Sequence, residues 1–398
     1  MLPPPLPSAL APSTVRDSRL DATRGLAILG LIFSNMPNLA SADPYREWVS
    51  KPVIRETWAQ VADFAIEWFV VGKCVALLSF LLGAGLALQQ QAADAAAASF
   101  PRQTLRRMAA LFGIGLLHIL FLWFGDILCA YALMGFAFLI FYRLPATTLR
   151  WLAGIGMAVT VLILGIFSLI PNGEPDKEFT AWVEKVVAFI ESAYQDGPFY
   201  KTLLVRLGEA AVFQGIMLFT IPFYLGIVLL GYDAIRSGWF PWQGRTWPRM
   251  LVAGMTATGL ILCGIYAWVA VRSPDNSQIS AISTTVGMPA FLILAGAYLY
   301  GLLRLPEGPI QRTLAAVGRT ALSNYLLQSL GAAIVFHSWG FGQFGRLSTG
   351  EVFAVCLGIV ALQLAWPQWW LRHFRFGPME YLWRRLSYGS AAGSWRRK

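Results

Sequence analysis

The sequence predicts an all-α, polytopic membrane protein of about ten transmembrane helices, with both termini on the inner side. Composition is the first ground: 57% of the 398 residues are hydrophobic, only 13% are charged and the mean hydropathy is +0.56, a balance that leaves too little polar surface for a water-soluble domain. Length is the second, because apolar runs of roughly twenty residues, enough to cross a hydrocarbon core, recur along the whole chain. Charge placement is the third. With ten spans the inner side carries about 21 of the 31 Lys and Arg but only about 6 of the 21 Asp and Glu, the bias that orients membrane proteins.

The net charge of +10 does not point to nucleic acid, because the basic residues sit at the ends of apolar runs and form no continuous patch. Membrane lipids are the expected surroundings, and a homodimer is left open. Cys74, Cys129, Cys263 and Cys356 each lie inside an apolar run, without the close Cys or His spacing of a zinc site, so neither a disulfide nor a metal is expected. The sequence also lacks a phosphate-cradling glycine loop and a serine-hydrolase elbow, and no cofactor is expected.

In chain order, residues 1–22 open with MLPPPLPSALAPSTV, which lacks the basic start and long apolar core of a signal peptide and reads as a disordered cytoplasmic tail. A single transmembrane domain follows over 23–371. Its first span covers about 23–39, with Asp21 and Arg24 three apart and able to pair at the inner face. Residues 40–63 are polar and placed outside. The second span, about 66–88, carries Lys73 roughly a third of the way across, where an ammonium needs a partner or must snorkel. After an inner loop ending in Arg102, Arg106 and Arg107 come spans at about 108–124 and 127–142, and a fifth that ends near Ile170. Residues 171–209 form an acidic outer segment with an amphipathic helix near 179–194. Further spans fall at about 211–231, 250–271, 284–303, 314–336 and 352–371. The tail, 372–398, places Pro378 at a helix start among aromatics and arginines and reads as a basic amphipathic helix at the inner interface.

The most informative stretch is GIGLLHILFLWFGDILCAYALMG, residues 113–135. Two apolar helices meet there at a Gly125-Asp126 turn, with His118 and Asp126 set among lipid-compatible residues. Ionisable groups inside a membrane are costly enough to be functional candidates by default. His118 suits a general base, and a carboxylate can fix its tautomer. Asp126 stands about 12 Å further along a straight helix, so the two pair only if the hairpin folds back. Asp126 also suits an N-cap, and its two oxygens allow both roles. Lys73 and Arg24 are candidates for holding an anionic substrate group. Asn35, Asn324 and Gln328 are intramembrane amides that suit either substrate binding or hydrogen bonds between helices.

Five ordered blocks, LDATRGLAILGLIFSN, GKCVALLSFLLGAG, GLLHILFLWFGDILCAYALMG, GRTALSNYLLQS and FRFGPMEYLWRRLSY, resemble the YeiB-like bacterial inner-membrane proteins, a family known as domain of unknown function 418. Cys74, Leu81, Ser323 and Tyr381 depart from that family's usual residues without removing a polar group. The resemblance implies a multi-pass protein of the bacterial inner (plasma) membrane. It also implies a distant likeness to transmembrane acyltransferases of the heparan-glucosaminide N-acetyltransferase type, whose first span opens with a similar Leu-Asp-x-x-Arg-Gly pattern. Those enzymes use a histidine shortly after the first span, and residues 40–63 contain none.

Two functions are therefore expected. One is a membrane acyltransferase, in which a thioester such as acyl-CoA serves as donor substrate and His118, oriented by Asp126, activates an acceptor that is a small molecule or lipid-linked. The other is a proton-coupled or anion transporter that uses His118, Asp126 and Lys73 near the midplane. A tunnel from the inner face towards His118 favours the first.

Overall fold

The computed structural model describes residues 17–46, 49, 56–170, 176–239, 246–272 and 277–396, with the backbone alone at 277–281 and 391–392. Fifteen α-helices are found among them: α1 (Ser18–Ala40), α2 (Asp43–Arg46), α3 (Thr57–Phe69), α4 (Lys73–Ala95), α5 (Phe100–Phe121), α6 (Leu128–Phe141), α7 (Ala146–Leu169), α8 (Lys177–Gln195), α9 (Phe199–Arg236), α10 (Arg249–Arg272), α11 (Ser277–Leu303), α12 (Pro309–Arg319), α13 (Ala321–Phe336), α14 (Thr349–His373) and α15 (Pro378–Tyr388). No strand occurs among the described residues. Seven helical stretches are long and apolar enough to cross a membrane, and α6 and α13 are shorter apolar helices. The protein is an all-α, multi-pass membrane protein.

The differences from the sequence expectations are local. The expected N-terminal tail lies mostly outside the described residues, and its last five residues are already helix: α1 begins at Ser18, after Asp17 accepts the Arg19 N–H at 2.8 Å. The second span, expected over 66–88, is broken near its start. Gly72 adopts φ +78, a left-handed conformation that glycine reaches without steric cost, and this breaks α3 from α4. Lys73 is thus the first residue of its helix, and the last seven residues of the segment taken as polar loop, 57–63, belong to α3. That helix packs Phe64 and Trp68 against α10 and α11, with Trp68 Nε1 donating to Leu260 O at 2.8 Å.

The span at 314–336 is divided at Thr320 into α12 and α13. In the outer segment, α8 forms over 177–195, capped by Asp176 on Phe179 N at 2.6 Å. The next helix, α9, already starts at Phe199, so Arg206 and Glu209 are helical where a loop was expected.

A continuous apolar core joins α1, α4, α5, α6, α7, α9, α11 and α13. A second cluster lies towards the α8 end of the bundle and includes Trp123, Phe124 and Phe336. The helices α4 and α9 cross at Gly83 and Gly231: a Cβ on the first would stand 1.9 Å from Val228 O, and on the second 2.1 Å from Phe80 O. Small residues at such crossings let helix backbones touch, a main source of cohesion where lipid supplies no hydrophobic drive.

Candidate functional site

After α5 ends at Phe121 the chain turns back through residues 122–127 and enters α6. The turn backbone is held from α9, where Gln214 Nε2 donates to Asp126 O at 2.9 Å. The reversal brings His118 Nδ1 to 2.9 Å from Asp126 Oδ1, with both side chains wholly buried. The second carboxylate oxygen, Oδ2, accepts the Cys129 N–H at 2.7 Å and so caps the start of α6. Gly115, one turn before His118, makes room: a Cβ there would lie 2.8 Å from Asp126 Oδ2. A carboxylate only accepts hydrogen bonds, so Nδ1 is the donor of this pair and Nε2 is the ring nitrogen left for another partner. That Nε2 is buried and has no hydrogen-bond partner among the described residues.

A cavity of about 350 Å³ lies between α1, α4, α5, α13 and α15, within the range of small-molecule sites. Arg24, Arg107, Arg319 and Arg384 stand in its wall at the arginine-rich end of the bundle. Away from that end the wall is mainly leucine and isoleucine, interrupted by the polar groups of Tyr131 and Tyr325. Along α4 it runs from Gln89 to Leu78, about 16 Å at 1.5 Å per residue. Ile127 and Tyr325 also belong to this wall. The Tyr325 ring centroid is 5.1 Å from that of His118, so one side chain separates the cavity from the dyad.

The C-terminal helix closes one side of the cavity. Glu380 accepts from Leu322 N at 2.6 Å, Ser323 N at 3.0 Å and Ser323 Oγ at 2.5 Å, which caps α13. Burial pushes the Glu380 carboxyl above its ordinary value, against these bonds, which favour the charged form. Trp383 Nε1 donates to Arg107 O at 2.8 Å, and the Arg107 guanidinium sits 4.3 Å from the Trp383 ring.

The remaining candidates are scattered. Arg24 reaches the cavity and pairs with Asp21 at 2.9 Å. Lys73 is fully buried, donates to Glu67 O at 2.7 Å and lies 4.4 Å from the Phe291 ring. It belongs to the α3, α10 and α11 packing and not to the cavity wall. Asn324 and Gln328 tie helices together: Asn324 Nδ2 donates to Val317 O at 3.1 Å across the α12–α13 break, Trp366 Nε1 donates to Asn324 Oδ1 at 2.8 Å, and Gln328 Nε2 donates to Ile28 O at 2.8 Å. Asn35 is half-buried on α1, outside the cavity wall.

A second buried polar cluster is not evident from the sequence. Arg206 is fully buried on α9 and donates to Leu120 O at 2.6 Å, with its Nη2 3.4 Å from His337 Nδ1. One turn on, Glu209 accepts from Tyr45 at 2.8 Å and Tyr194 at 2.6 Å. Burial and the charge of Glu209 hold the Tyr45 phenol well above its ordinary value, so it remains a donor. The available signal is the three-residue spacing of Arg206 and Glu209, which puts both on one helix face.

With this geometry in place, comparisons with known proteins locate the chain. Residues 234–390 match a family described as "Protein of unknown function (DUF418)", a region that includes Arg319, Tyr325, Glu380 and Arg384 but not His118 or Asp126. No solved structure matches. The uncharacterized protein YxaH of Bacillus subtilis is 29% identical over 93% of both chains. The uncharacterized protein YeiB of Escherichia coli is 28% identical over 94% of this chain and 97% of its own. An uncharacterized 39.9 kDa protein in the amylase 3' region of Bacillus acidopullulyticus is 26% identical over 94% of both. The chain is thus similar, along nearly its whole length, to uncharacterized bacterial proteins that include YeiB, and over its C-terminal part to the DUF418 family.

Proposed function

We propose that the protein is an acyltransferase of the bacterial inner membrane that moves an acyl group from a thioester donor to an acceptor hydroxyl or amine. The observation that carries the reading is the His118–Asp126 dyad: an imidazole fixed at Nδ1 by a carboxylate, with an unpartnered Nε2, one side chain away from a cavity lined at its mouth by arginines. In the reaction the acceptor oxygen or nitrogen adds to the thioester carbonyl carbon while His118 Nε2 takes its proton. The tetrahedral intermediate then breaks the C–S bond, and the same proton goes to the departing thiolate. The arginines suit the phosphates of a donor such as acyl-CoA, and the LDATRG opening of α1 adds the distant likeness to membrane acyltransferases. Asp21 and Arg24 of that motif form the ion pair at the cavity mouth.

The transporter reading needs Lys73 to share a relay with the dyad, whereas Lys73 is engaged by Glu67 and Phe291. The charge bias and the sequence likeness to bacterial proteins support an inner-membrane setting with both termini, and the arginine-lined mouth, facing the cytoplasm. Reporter fusions after Arg107 and Arg150 are expected to read as cytoplasmic and one at Glu184 as external; an external signal from Arg150 overturns this orientation.

The activity test is incorporation of radiolabelled acyl groups from acyl-CoA into extractable products by membranes that overproduce the protein. Wild-type membranes are expected to form a product that His118→Gln membranes lack, since Gln keeps hydrogen bonding but takes no proton at neutral pH. Equal product from both removes the proposal.

A further inference from the structure

Acyl transfer needs a hydrogen-bond donor for the oxygen that becomes negative, and residues 113–135 of the hairpin contain no lysine or arginine to serve beside His118. The candidate must face the cavity and lie beside the imidazole. Two aromatic rings meet His118, Trp123 at 6.4 Å and Tyr325 at 5.1 Å between centroids, and of these only Tyr325 lines the cavity.

The Tyr325 hydroxyl is also prepared for this role. Its oxygen accepts the Ile127 N–H at 3.2 Å, which fixes it beside the Asp126 turn. Each phenol carries one donor hydrogen as well as its acceptor lone pairs, and no described residue accepts the Tyr325 hydrogen. The residue is buried, where a fixed dipole acts more strongly than in water. Ring contact with His118 and a backbone anchor on the hairpin fix its place beside the base.

We infer that Tyr325 is a catalytic residue, the donor that stabilises the oxyanion of the tetrahedral intermediate. This rests on the acyltransferase reading above. As the acceptor adds to the thioester carbon, the carbonyl oxygen takes up the electron pair of the C=O π bond and receives a hydrogen bond from Tyr325, without proton transfer. His118 Nε2 takes the acceptor proton. On collapse the C=O bond re-forms, the C–S bond breaks, and His118 returns the proton to the thiolate. Tyr325 is left as it began, bonded to Ile127.

The test uses the full chain in phosphatidylcholine nanodiscs with acetyl-CoA as probe and water as acceptor, and follows release of free CoA thiol. Tyr325→Phe keeps the ring on His118 and removes the donor; kcat is expected to fall about 10²- to 10³-fold, the loss typical of one oxyanion donor, with KM nearly unchanged. Because Phe also removes the Ile127 contact, 3,5-difluorotyrosine at position 325 is the second variant. A more acidic phenol is a better donor but a poorer acceptor, so a catalytic role keeps or raises kcat, whereas a role confined to anchoring Ile127 lowers it as Phe does. Wild-type kcat in Tyr325→Phe, or an equal fall in both variants, overturns the assignment to Tyr325. These results leave the dyad standing provided His118→Gln is inactive. Thiol release that is no greater in wild type than in His118→Gln overturns both readings.

Discussion

Asp126 divides its two oxygens between two tasks: Oδ1 lies 2.9 Å from His118 Nδ1 and Oδ2 lies 2.7 Å from Cys129 N. One carboxylate thus starts α6 and orients the imidazole of α5, so the fold of the hairpin and the chemistry of its histidine depend on the same residue. The arrangement requires the turn at 122–127, because the residues would lie about 12 Å apart on a continuous helix.

The two tasks separate by substitution. Asp126→Asn keeps an acceptor for Cys129, and Asn caps helices about as well as Asp, so thermal stability in detergent is expected to stay close to wild type. Activity is expected to fall at least 10²-fold, because the amide no longer stabilises the imidazolium formed when His118 takes a proton. Asp126→Ala loses both and costs about 0.5–2 kcal/mol for the cap, more if Nδ1 stays unpaired. An Asn variant with full acyl transfer contradicts a catalytic role for the charge.

The Gly83–Ala84–Gly85 triplet offers a sharper test of the packing. A Cβ on Gly83 would meet Val228 O at 1.9 Å, whereas one on Gly85 meets nothing within 4 Å. Gly83→Ala is expected to force α4 and α9 apart and destabilise by roughly 1–3 kcal/mol or more. Gly85→Ala is expected to be neutral or to stabilise by up to about 1 kcal/mol, since Gly in a helix interior is weaker than Ala by that order. The measurement is the melting temperature of each purified variant, and equal shifts contradict a backbone crossing at Gly83.

These contrasts mark how far the sequence was legible. The hairpin could be read because a Gly-Asp turn, an apolar flank on each side and two isolated ionisable groups all fall within 113–135. Lys73 could be seen as buried, but not its place at a helix start, since the left-handed Gly72 lies within an otherwise unbroken apolar run. Arg206 and Glu209 were obscured because an acidic loop precedes them, and local polarity suggested that the loop continued. The cavity mouth was beyond reach. Arg24, Arg107, Arg319 and Arg384 come from four segments spread over most of the chain, and only tertiary packing brings them together.

Lys73 supports a prediction about size. Its ammonium is enclosed by Glu67 O, the Phe291 ring at 4.4 Å and the Tyr266 ring at 5.8 Å. Lys73→Arg has to fit a planar guanidinium into a fully buried site and is expected to lower the melting temperature more than Lys73→Met. The Met variant leaves Glu67 O without this donor, a loss of about 1–3 kcal/mol, but it also removes a buried charge whose desolvation opposes folding. An Arg variant as stable as wild type contradicts this packing.

The last prediction concerns pH and the helix that borders the cavity. Burial raises Glu380 above its ordinary value of 4.5, so the folded protein binds a proton at this site more readily than the unfolded chain does. A raised acid contributes stability that is fully present below the unfolded value and is lost as pH rises through the folded one. The seat of α15 on α13 is therefore expected to loosen as pH climbs above 4.5. A spin label at the exposed position Leu386→Cys reads this directly, its spectrum becoming more mobile between acid and neutral pH. Glu380→Gln retains an acceptor for Leu322 and Ser323 without a titrating proton, so its label mobility is expected to stay flat over the same range. A wild-type label that is equally immobile throughout, or that loosens towards acid, contradicts the raised carboxyl as the source of the pH dependence.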